Sequence, residues 1–519
     1  MIKENERSPL LQKLASALIR NATAAGELDA VVYLAVDLIR RIKNEAITDP
    51  KDRILYASLN EKAGKLALAV PDFGSAVRYT ECGLSFLCEN HWEVEYELSI
   101  QLYTTSITAL YTCTDSNQVI LNERINQVFQ HSRSLDDEYA TRYVWIMMLA
   151  TTSLNEAIRE CHLLLERLGE PIDSSNTDLS FACSELKRVK ECFSDKKEQL
   201  WHTRMVNPNK LKAMNIMSSL MAYYHHAMTN IDALVCAKMV DMSMRWGYCE
   251  DSFFGIATFG AMVVCNLGEI EEGCKWARSV LFAMSQSHQN INVLLPAVYA
   301  VVYGFAVVIK EPFQTTLDCI LQGCRYGFDY GNLQFAVINA RMYATRMLNC
   351  GANIDSLLKL IEGMALKSAQ YGQNPFVQDY LTPIYNVFRG LADLNEQALP
   401  PLDFFISNDD LRDHAKNGAD SLCYEAHLMF EIISSFLLRD MDKAQSMLDM
   451  IQGSEESRQR PVFNFIIIDF YAGLAACFFA RRGDETRRVK ARNVRDRLEG
   501  LIEHSKWNWE NKFLVSLFS

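Results

Sequence analysis

Apolar residues recur along most of the chain at intervals of three and four residues, which is the spacing of one helix face. Leu55, Leu59 and Ala63 give a typical example, whereas the strict alternation of a half-buried strand is nowhere sustained. Short turns that contain Gly, Pro, Asp or Asn separate the apolar runs. Among them, Asp49-Pro50 and Asn207-Pro208 predict the capped starts of the helices that follow. The pattern therefore predicts an all-α protein built from consecutive helical hairpins.

The hairpin at residues 63–83 shows this organisation most clearly. Pro71 and Asp72 end one apolar run and begin the next, because Pro fixes φ and Asp can cap a helix N-terminus. Small residues on both sides of the turn are Gly64, Ala76, Thr80 and Gly83. They predict that the two helices approach each other closely.

Related turns recur at residues 152–157, 268–273 and 439–444, each ending in a small residue. With the first turn at residue 71, their starts are separated by near multiples of about 40 residues, more than the ~34 of a standard tetratricopeptide unit. We therefore expect a tetratricopeptide-like superhelix, an α-solenoid of hairpins with a repeat of about 40 residues.

Aromatic-glycine pairs predict the ends of further helices. They occur at residues 246–247, 326–327 and 371–372. Glycine supplies the left-handed residue that ends a helix, and the aromatic ring is expected to pack under the turn.

Two polar stretches divide the predicted array. Residues 170–180 are the most polar part of the chain and predict an exposed loop, and a second weak point follows residue 397. We predict N-terminal helical repeats over residues 1–169, a polar loop and charged helix over 170–209, central repeats over 210–396, and C-terminal repeats with a basic helix over 397–519.

Composition narrows the possible partners and the compartment. The net charge of −12 argues against general affinity for nucleic acid or anionic membranes. The 15 cysteines are scattered without a C-x-x-C pair, which favours free thiols in a reducing, cytoplasmic setting over a disulfide or zinc framework. The N-terminus carries mixed charge, so no secretory signal is expected.

One uncharged stretch, residues 293–309, is the only membrane candidate. As a helix it would span about 25 Å, less than the ~30 Å of a bilayer core, and it contains Pro296. A buried repeat helix is therefore the favoured interpretation, with a membrane segment as the alternative.

No pattern of a reaction centre is present. The chain lacks a phosphate-binding loop, an H-E-x-x-H motif, a G-x-S-x-G motif and the kinase signatures. His225 and His226 are adjacent and would point about 100° apart on a helix, so they are not expected to bind one metal ion. We accordingly predict no catalytic residues, no metal site and no cofactor.

Two further clusters are interpreted as structural. Cys161-His162 has no third metal ligand near it in sequence. Glu269, Glu271 and Glu272 fall in the first turn of a predicted helix, where negative charge complements the helix dipole.

A basic segment at residues 481–497 is the exception to the acidic composition. Ala491, Val494, Leu498 and Leu501 follow helical spacing, so one face is apolar and the opposite face basic. The basic face is interpreted as a solvated helix surface, or as a docking surface for an acidic partner or neighbouring domain, with nucleic acid as a third alternative. The candidate docking residues are Arg481, Arg482, Arg487, Arg488, Lys490, Arg492 and Arg495.

Several sequence blocks follow one another in a characteristic order. They are residues 63–83 with 92–98, 207–214, 303–312, 330–336, 470–475 and 507–513. Over roughly residues 30–519 this order resembles the repeat region of large multidomain signalling ATPases, namely sensor histidine kinases and serine/threonine kinases with an AAA-type ATPase in front of a tetratricopeptide-like array.

The resemblance implies a regulatory role and no activity, since the ATPase and kinase motifs of that family have no counterpart here. We expect a non-catalytic scaffold or sensor that mediates protein–protein interaction in signal transduction and regulates an AAA-type ATPase or kinase domain, in cis or in trans. The alternative is an all-α small-molecule-sensing or enzymatic domain. Its pocket would lie between aromatic and sulfur-rich helices at about residues 215–350.

Overall fold

The computed structural model describes residues 4–42, 47–70, 72–113, 118–193, 199–227, 229–286, 291–369, 374–392, 405–411, 421–452 and 463–504. Most of these residues are helical, and within these ranges no β-strand occurs. Extended pairing is limited to one isolated bridge between Arg204 and Tyr248. The prediction of an all-α protein is confirmed.

The chain divides into two compact units, Met1–Met148 and Leu149–Ser519, called the first and second unit below. The four-segment organisation stays a prediction. Helices that begin in the first unit are α1 (Glu4–Ala25), α2 (Leu28–Arg40), α3 (Pro50–Ala69), α4 (Phe73–Ser85), α5 (His91–Val94), α6 (Tyr96–Thr112), α7 (Gln118–His131) and α8 (Leu135–Thr152).

The described helices that begin in the second unit include those that surround the candidate site below. They are α9 (Leu154–Arg167), α10 (Leu179–Phe193), α11 (Pro208–His226), α12 (Ile231–Trp246), α13 (Glu250–Leu267), α14 (Ile270–Gln286), α15 (Leu295–Val301), α16 (Phe313–Tyr330), α17 (Leu333–Asn349), α18 (Ile354–Ala369), α19 (Asn374–Ala392), α20 (Ser421–Leu437), α21 (Met441–Gln452), α22 (Phe463–Ala480) and α23 (Glu485–His504).

Helix α3 packs on α4 as the small residues predicted. A methyl group added at Gly64 would lie 2.8 Å from Cγ2 of Thr80, so a larger residue would push the helices apart. The Asp72 carboxylate accepts the Ser75 backbone N–H at 3.1 Å and caps α4. Pro71 lies outside the described residues.

The other local signals for helix starts and turns agree with the structure. Asp49 caps α3 with Pro50 in its first turn, and Asn207 caps α11 by accepting the N–H groups of Asn209 and Lys210. The turns at 152–157, 268–273 and 439–444 each separate two helices. These signals are local in sequence, which is why they could be recognised without a fold.

The aromatic-glycine pairs gave a mixed result. Gly247 ends α12 with φ +94°, a conformation suited to glycine, but Trp246 stays 47% exposed and does not pack fully under the turn. Gly327 was predicted to end a helix, and this is wrong: α16 continues to Tyr330 and ends at Gly331, which is left-handed. Gly327 instead allows close packing, because an added methyl group would lie 2.6 Å from Cβ of Ala336. The pair at 371–372 lies outside the described residues.

The predicted exposed loop is anchored at its first residue. Residues 171–178 are exposed or half-buried, whereas Glu170 is buried. Its carboxylate forms ion pairs with Lys210 and, at 2.6 Å, with Lys238. Burial raises the pKa of Glu170, but the two lysines outweigh it and lower the pKa below its usual range. The loop is thus tied to α11 and α12.

The uncharged stretch at 293–309 is a buried segment within the second unit. Helix α15 continues as a π turn (Val302–Ala306) and a 3₁₀ turn (Val307–Ile309), and most of their side chains are buried. In the parts of the chain that the structure describes, none of the helices combines the length and apolar character needed to cross a bilayer.

Contacts in the second unit also join helices that are far apart in sequence. Neighbouring helices pair as hairpins, but α11 additionally contacts α20. The hydroxyl of Tyr380 on α19 lies 2.9 Å from Nδ1 of His226 on α11, within hydrogen-bond distance. Tyr380 and His226 both line the cavity described next.

Candidate functional site

A cavity lies inside the second unit, between α11, α12, α13, the α15 segment, α17 and α19. It contains roughly 930 Å³ of empty space, including the part that opens to solvent. Its walls are mainly apolar, aromatic and sulfur-containing: Met221, Ala222, Phe254, Ala261, Met262, Cys265, Val301, Phe305, Phe335, Ile338 and Met342. The polar lining residues are His225, His226, Asp232, Thr258, Asn266, Gln334, Arg341 and Tyr380.

Helical periodicity places these side chains on the cavity. Helix α17 contributes Gln334, Ile338 and Arg341, which are spaced by four and three residues. Helix α13 contributes Phe254 and Thr258 at the same spacing. Each helix turns one continuous face toward the same space.

Asp232, the acidic residue in the described lining of the cavity, already has hydrogen-bond and ion-pair partners. Asp232 is fully buried, and its carboxylate accepts the Ala233 N–H at 2.7 Å. Nδ1 of His225 lies 3.3 Å from the other carboxylate oxygen. Asp232 therefore has partners within its own hairpin.

The basic group at the cavity lacks such a partner. Arg341 is only 6% exposed, and its guanidinium carbon lies 4.6 Å from the ring centroid of Tyr380. Among the described residues, its Nη1 has no hydrogen-bond partner and no carboxylate pairs with it. A guanidinium with one unpartnered nitrogen among the described residues is thus left at the wall of a mainly apolar cavity.

The amide of Asn266 is a second unsatisfied group in the lining. Its side-chain oxygen and nitrogen are both shielded from solvent and lack a partner within the described chain. Buried polar groups are normally hydrogen-bonded. Arg341 and Asn266, which both line the cavity, thus each carry a buried polar group without a partner among the described residues.

The histidines considered as metal ligands have other contacts. His225 and His226 both line the cavity, but His225 pairs with Asp232 and His226 with Tyr380. No cluster of three His, Cys, Asp or Glu side chains suited to a metal ion occurs within the described ranges.

Cys161 and His162 also lie in structural settings. Cys161 is buried, and burial raises the pKa of its thiol. Nε2 of His162 lies 2.5 Å from the Tyr224 hydroxyl, and burial lowers the pKa of this imidazole.

The acidic cluster at the start of α14 forms ion pairs between helices. Glu269 accepts from Lys190 at 2.5 Å, and Glu271 pairs with Lys310 at 2.7 Å. The Lys310 hydrogen bond lowers the pKa of Glu271. The acids connect α14 to α10 and to the segment after α15.

The predicted docking residues around α23 fall into different environments. Ala491, Val494 and Leu498 are buried, as the spacing predicts, while Leu501 lies outside the described side chains. Buried members of the basic set are Arg487, which pairs with Asp449, and Lys490. Arg488 pairs with Glu485 and Arg495 with Asp496. Arg481, Arg482 and Arg492 are exposed, and docking through them stays a prediction.

Two residues of the cavity, Arg341 and Tyr380, were not singled out from the sequence. The region 215–350 was identified as a possible pocket, and it contains most of the lining. The available signal for Arg341 was its position on the apolar face of α17 with Phe335, Ile338 and Met342. Tyr380 gave no local signal, because its role depends on helices distant in sequence.

No protein-family model, curated protein or solved structure matches the chain.

Proposed function

We propose that the chain is a non-catalytic helical-repeat sensor whose second unit binds a small molecule in the cavity. The cavity itself carries this proposal. Its roughly 930 Å³ of empty space includes the part that opens to solvent, and mainly apolar walls with a few polar groups are typical of small-molecule sites.

The position of the cavity suits a sensor. Its walls come from α11, α13, α17 and α19, so an occupant would contact hairpins that are far apart in sequence. A ligand that binds only the folded state stabilises that state by mass action. Occupancy would therefore tighten the packing of these hairpins.

The sequence resemblance supports a regulatory use of this change. In our proposal the hairpins belong to a tetratricopeptide-like superhelix with repeats of about 40 residues, and they report ligand occupancy to an AAA-type ATPase or kinase domain, in cis or in trans. The class of partner is taken from the sequence resemblance, and the proposed signal is the binding of a ligand in the cavity.

A thermal-shift screen with a small-molecule library tests the binding role. Thr258 lines the cavity, and Thr258→Trp would fill part of it. Thr315 is an exposed threonine. The hydroxyls of Thr258 and Thr315 each donate to a nearby backbone carbonyl, so Thr315→Trp is the matched control. We expect at least one compound to raise the Tm of the unaltered protein and of Thr315→Trp but not of Thr258→Trp. No stabilising compound, or equal shifts in both variants, would contradict the proposal.

A second candidate function is docking of an acidic protein segment at the basic region. The exposed side chains of Arg481, Arg482 and Arg492 favour it. Binding of a fluorescent poly-glutamate peptide should weaken with salt and with the double change Arg482→Glu and Arg492→Glu. An equal affinity of that double variant, or tighter binding of DNA than of the peptide, would rule out this role.

A further inference from the structure

We propose that the ligand of the cavity is a monocarboxylate with an apolar body, and that Arg341 holds its carboxylate. This inference rests on the proposed function, since it takes the cavity as the binding site. It adds the chemical class of the ligand and the residue that selects it.

Arg341 carries a buried positive charge without a carboxylate partner among the described residues. An arginine side chain keeps its proton in proteins, so burial leaves a permanent positive charge at the cavity wall. A buried charge without a partner is unfavourable. Only 6% of the Arg341 surface is exposed, and its Nη1 has no hydrogen-bond partner among the described residues. An anion in the cavity would compensate this charge.

The neighbouring groups orient the guanidinium and leave its charge uncompensated. The Arg341 guanidinium carbon lies over the Tyr380 ring, 4.6 Å from its centroid, a cation–π contact that arginine makes readily. Among the described residues this contact leaves Nη1 without a hydrogen-bond partner. Asp232 is the one carboxylate among the described lining residues, and it is already bonded to Ala233 and His225.

The charge count favours a carboxylate over a phosphate ester. Arg341 is the one permanently charged cation among the described residues that line the cavity. A carboxylate brings a single negative charge and two oxygens that match the guanidinium fork. A phosphate monoester would bring close to a second negative charge, for which the described lining offers no second lysine or arginine. The free amide of Asn266 can bond a further polar group of the ligand.

The remaining walls define the body of the ligand. Met221, Phe254, Met262, Phe305, Phe335 and Ile338 offer apolar and aromatic surface. Methionine side chains are flexible and adapt to ligands of different shape. An aliphatic or aromatic body would bury its surface here while its carboxylate reaches Arg341.

The test uses the full chain and two acids with their uncharged counterparts. Naphthalene-2-acetate and decanoate are each compared with the corresponding primary carboxamide by isothermal titration calorimetry. We expect an acid to bind about tenfold or more tightly than its amide, because hydrogen bonds between charged groups are stronger than neutral ones. Arg341→Met should remove this preference. Arg341→Lys should keep part of it, since the charge remains while the fork is lost.

Arg325 provides the matched control. It is an exposed arginine on α16 outside the cavity lining, so Arg325→Met should bind as the unaltered protein does. Thermal unfolding of each variant shows whether it is folded, and the lysine variant gives a second test if the methionine variant is not.

The failures of the two proposals are distinguishable. Amides that bind as tightly as acids, or an acid preference that survives Arg341→Met, would overturn the role of Arg341 while the cavity remains a binding site. If neither acids nor amides bind but the library screen finds a ligand that Thr258→Trp excludes, the carboxylate class is wrong and the sensor proposal stands. If the screen also finds none, both proposals are wrong.

Discussion

Two buried arginines on α17, five residues apart in sequence, have opposite surroundings. Arg346 donates hydrogen bonds to the Thr316 hydroxyl at 2.7 Å and to the carbonyls of Tyr303 and Gly304 at 2.9 and 3.1 Å. Arg341 lines the cavity with its Nη1 unpartnered within the described chain. Burial alone therefore does not show whether an arginine belongs to the core or to a binding site. The partners of its N–H groups distinguish the two cases.

The two arginines act on the same cavity in different ways. Arg346 binds carbonyls of the π turn Val302–Ala306, an irregular turn whose backbone groups need partners outside the α-helical pattern. Phe305 of that turn faces the cavity. Arg346 therefore stabilises one wall, while Arg341 presents its charge to the space inside.

The largest expected effect separates the two residues by stability. Arg346→Met removes three hydrogen bonds and leaves buried acceptors unsatisfied, so it should lower the free energy of unfolding by roughly 3–5 kcal/mol. Arg341→Met removes an uncompensated charge and should be neutral or stabilising. Urea unfolding measures both. Equal destabilisation by the two changes would show that the comparison is wrong.

A buried acid whose carboxylate is paired should, like Arg346, stabilise the folded state. Glu431 on α20 is buried, with His427 at 3.2 Å and Lys443 at 2.9 Å. Burial raises its pKa, but the interactions with these two residues outweigh it and lower the pKa to about 2. Glu431→Gln should therefore cost roughly 2–3 kcal/mol of unfolding free energy at neutral pH.

The sign of the pH dependence follows from the lowered pKa of Glu431. Its stabilisation is complete above the ordinary value of 4.5 and is lost as the pH falls toward about 2. The difference in stability between the unaltered protein and Glu431→Gln should shrink over this range in denaturant titrations. Glu271→Gln, which breaks an exposed ion pair, is the control and should have a much smaller effect, because solvent screens such pairs. If the difference in unfolding free energy between the unaltered protein and Glu431→Gln stayed constant with pH, the lowered pKa of Glu431 would be wrong.

The Tyr380 ring should make a smaller contribution, to ligand binding. Tyr380→Leu removes the ring over which the Arg341 guanidinium carbon lies, so the affinity for naphthalene-2-acetate should fall several-fold. Tyr380→Phe keeps the ring and loses the bond to His226, so its effect should be weaker. The Kd values of the two variants, measured by calorimetry, show which change weakens binding more. A greater loss in the phenylalanine variant would indicate that the hydroxyl, rather than the ring, orients the site.

The smallest expected effect concerns Asn266. Because both polar atoms of its side chain lack partners within the described chain, Asn266→Leu should change the unfolding free energy by less than about 1 kcal/mol. Asn339→Leu is the contrast: its amide donates to the carbonyl of Pro296 at 2.9 Å, so its loss should cost more. If thermal unfolding showed an equal loss of unfolding free energy in Asn266→Leu and Asn339→Leu, Asn266 would have a structural role.

The sequence alone predicted the features that depend on neighbouring residues. Helical spacing indicated the all-α class, and the caps at Asp49, Asp72 and Asn207 were recognised from residues directly beside them. Gly327 was misinterpreted because its role is packing against Ala336 across the hairpin. A glycine that ends a helix and one that permits close packing look alike in sequence.

The candidate site was predicted only by region. The Met-rich and aromatic helices suggested a pocket, but the pairing of Arg341 with Tyr380 depends on α17 and α19 coming together, and that of His226 with Tyr380 on α11 and α19. The basic helix shows the same limit. Its apolar face followed from spacing, whereas the inward position of Arg487 depends on Asp449 in α21.

The most direct test of the central claim locates the ligand. A crystal of the full chain with 6-bromonaphthalene-2-acetate would show the bromine by anomalous scattering and the carboxylate by its density. We expect the bromine among Phe254, Phe335 and the other apolar walls, and a carboxylate oxygen about 3 Å from the guanidinium of Arg341. A ligand outside the cavity, or one inside it with its carboxylate turned away from Arg341, would contradict the account.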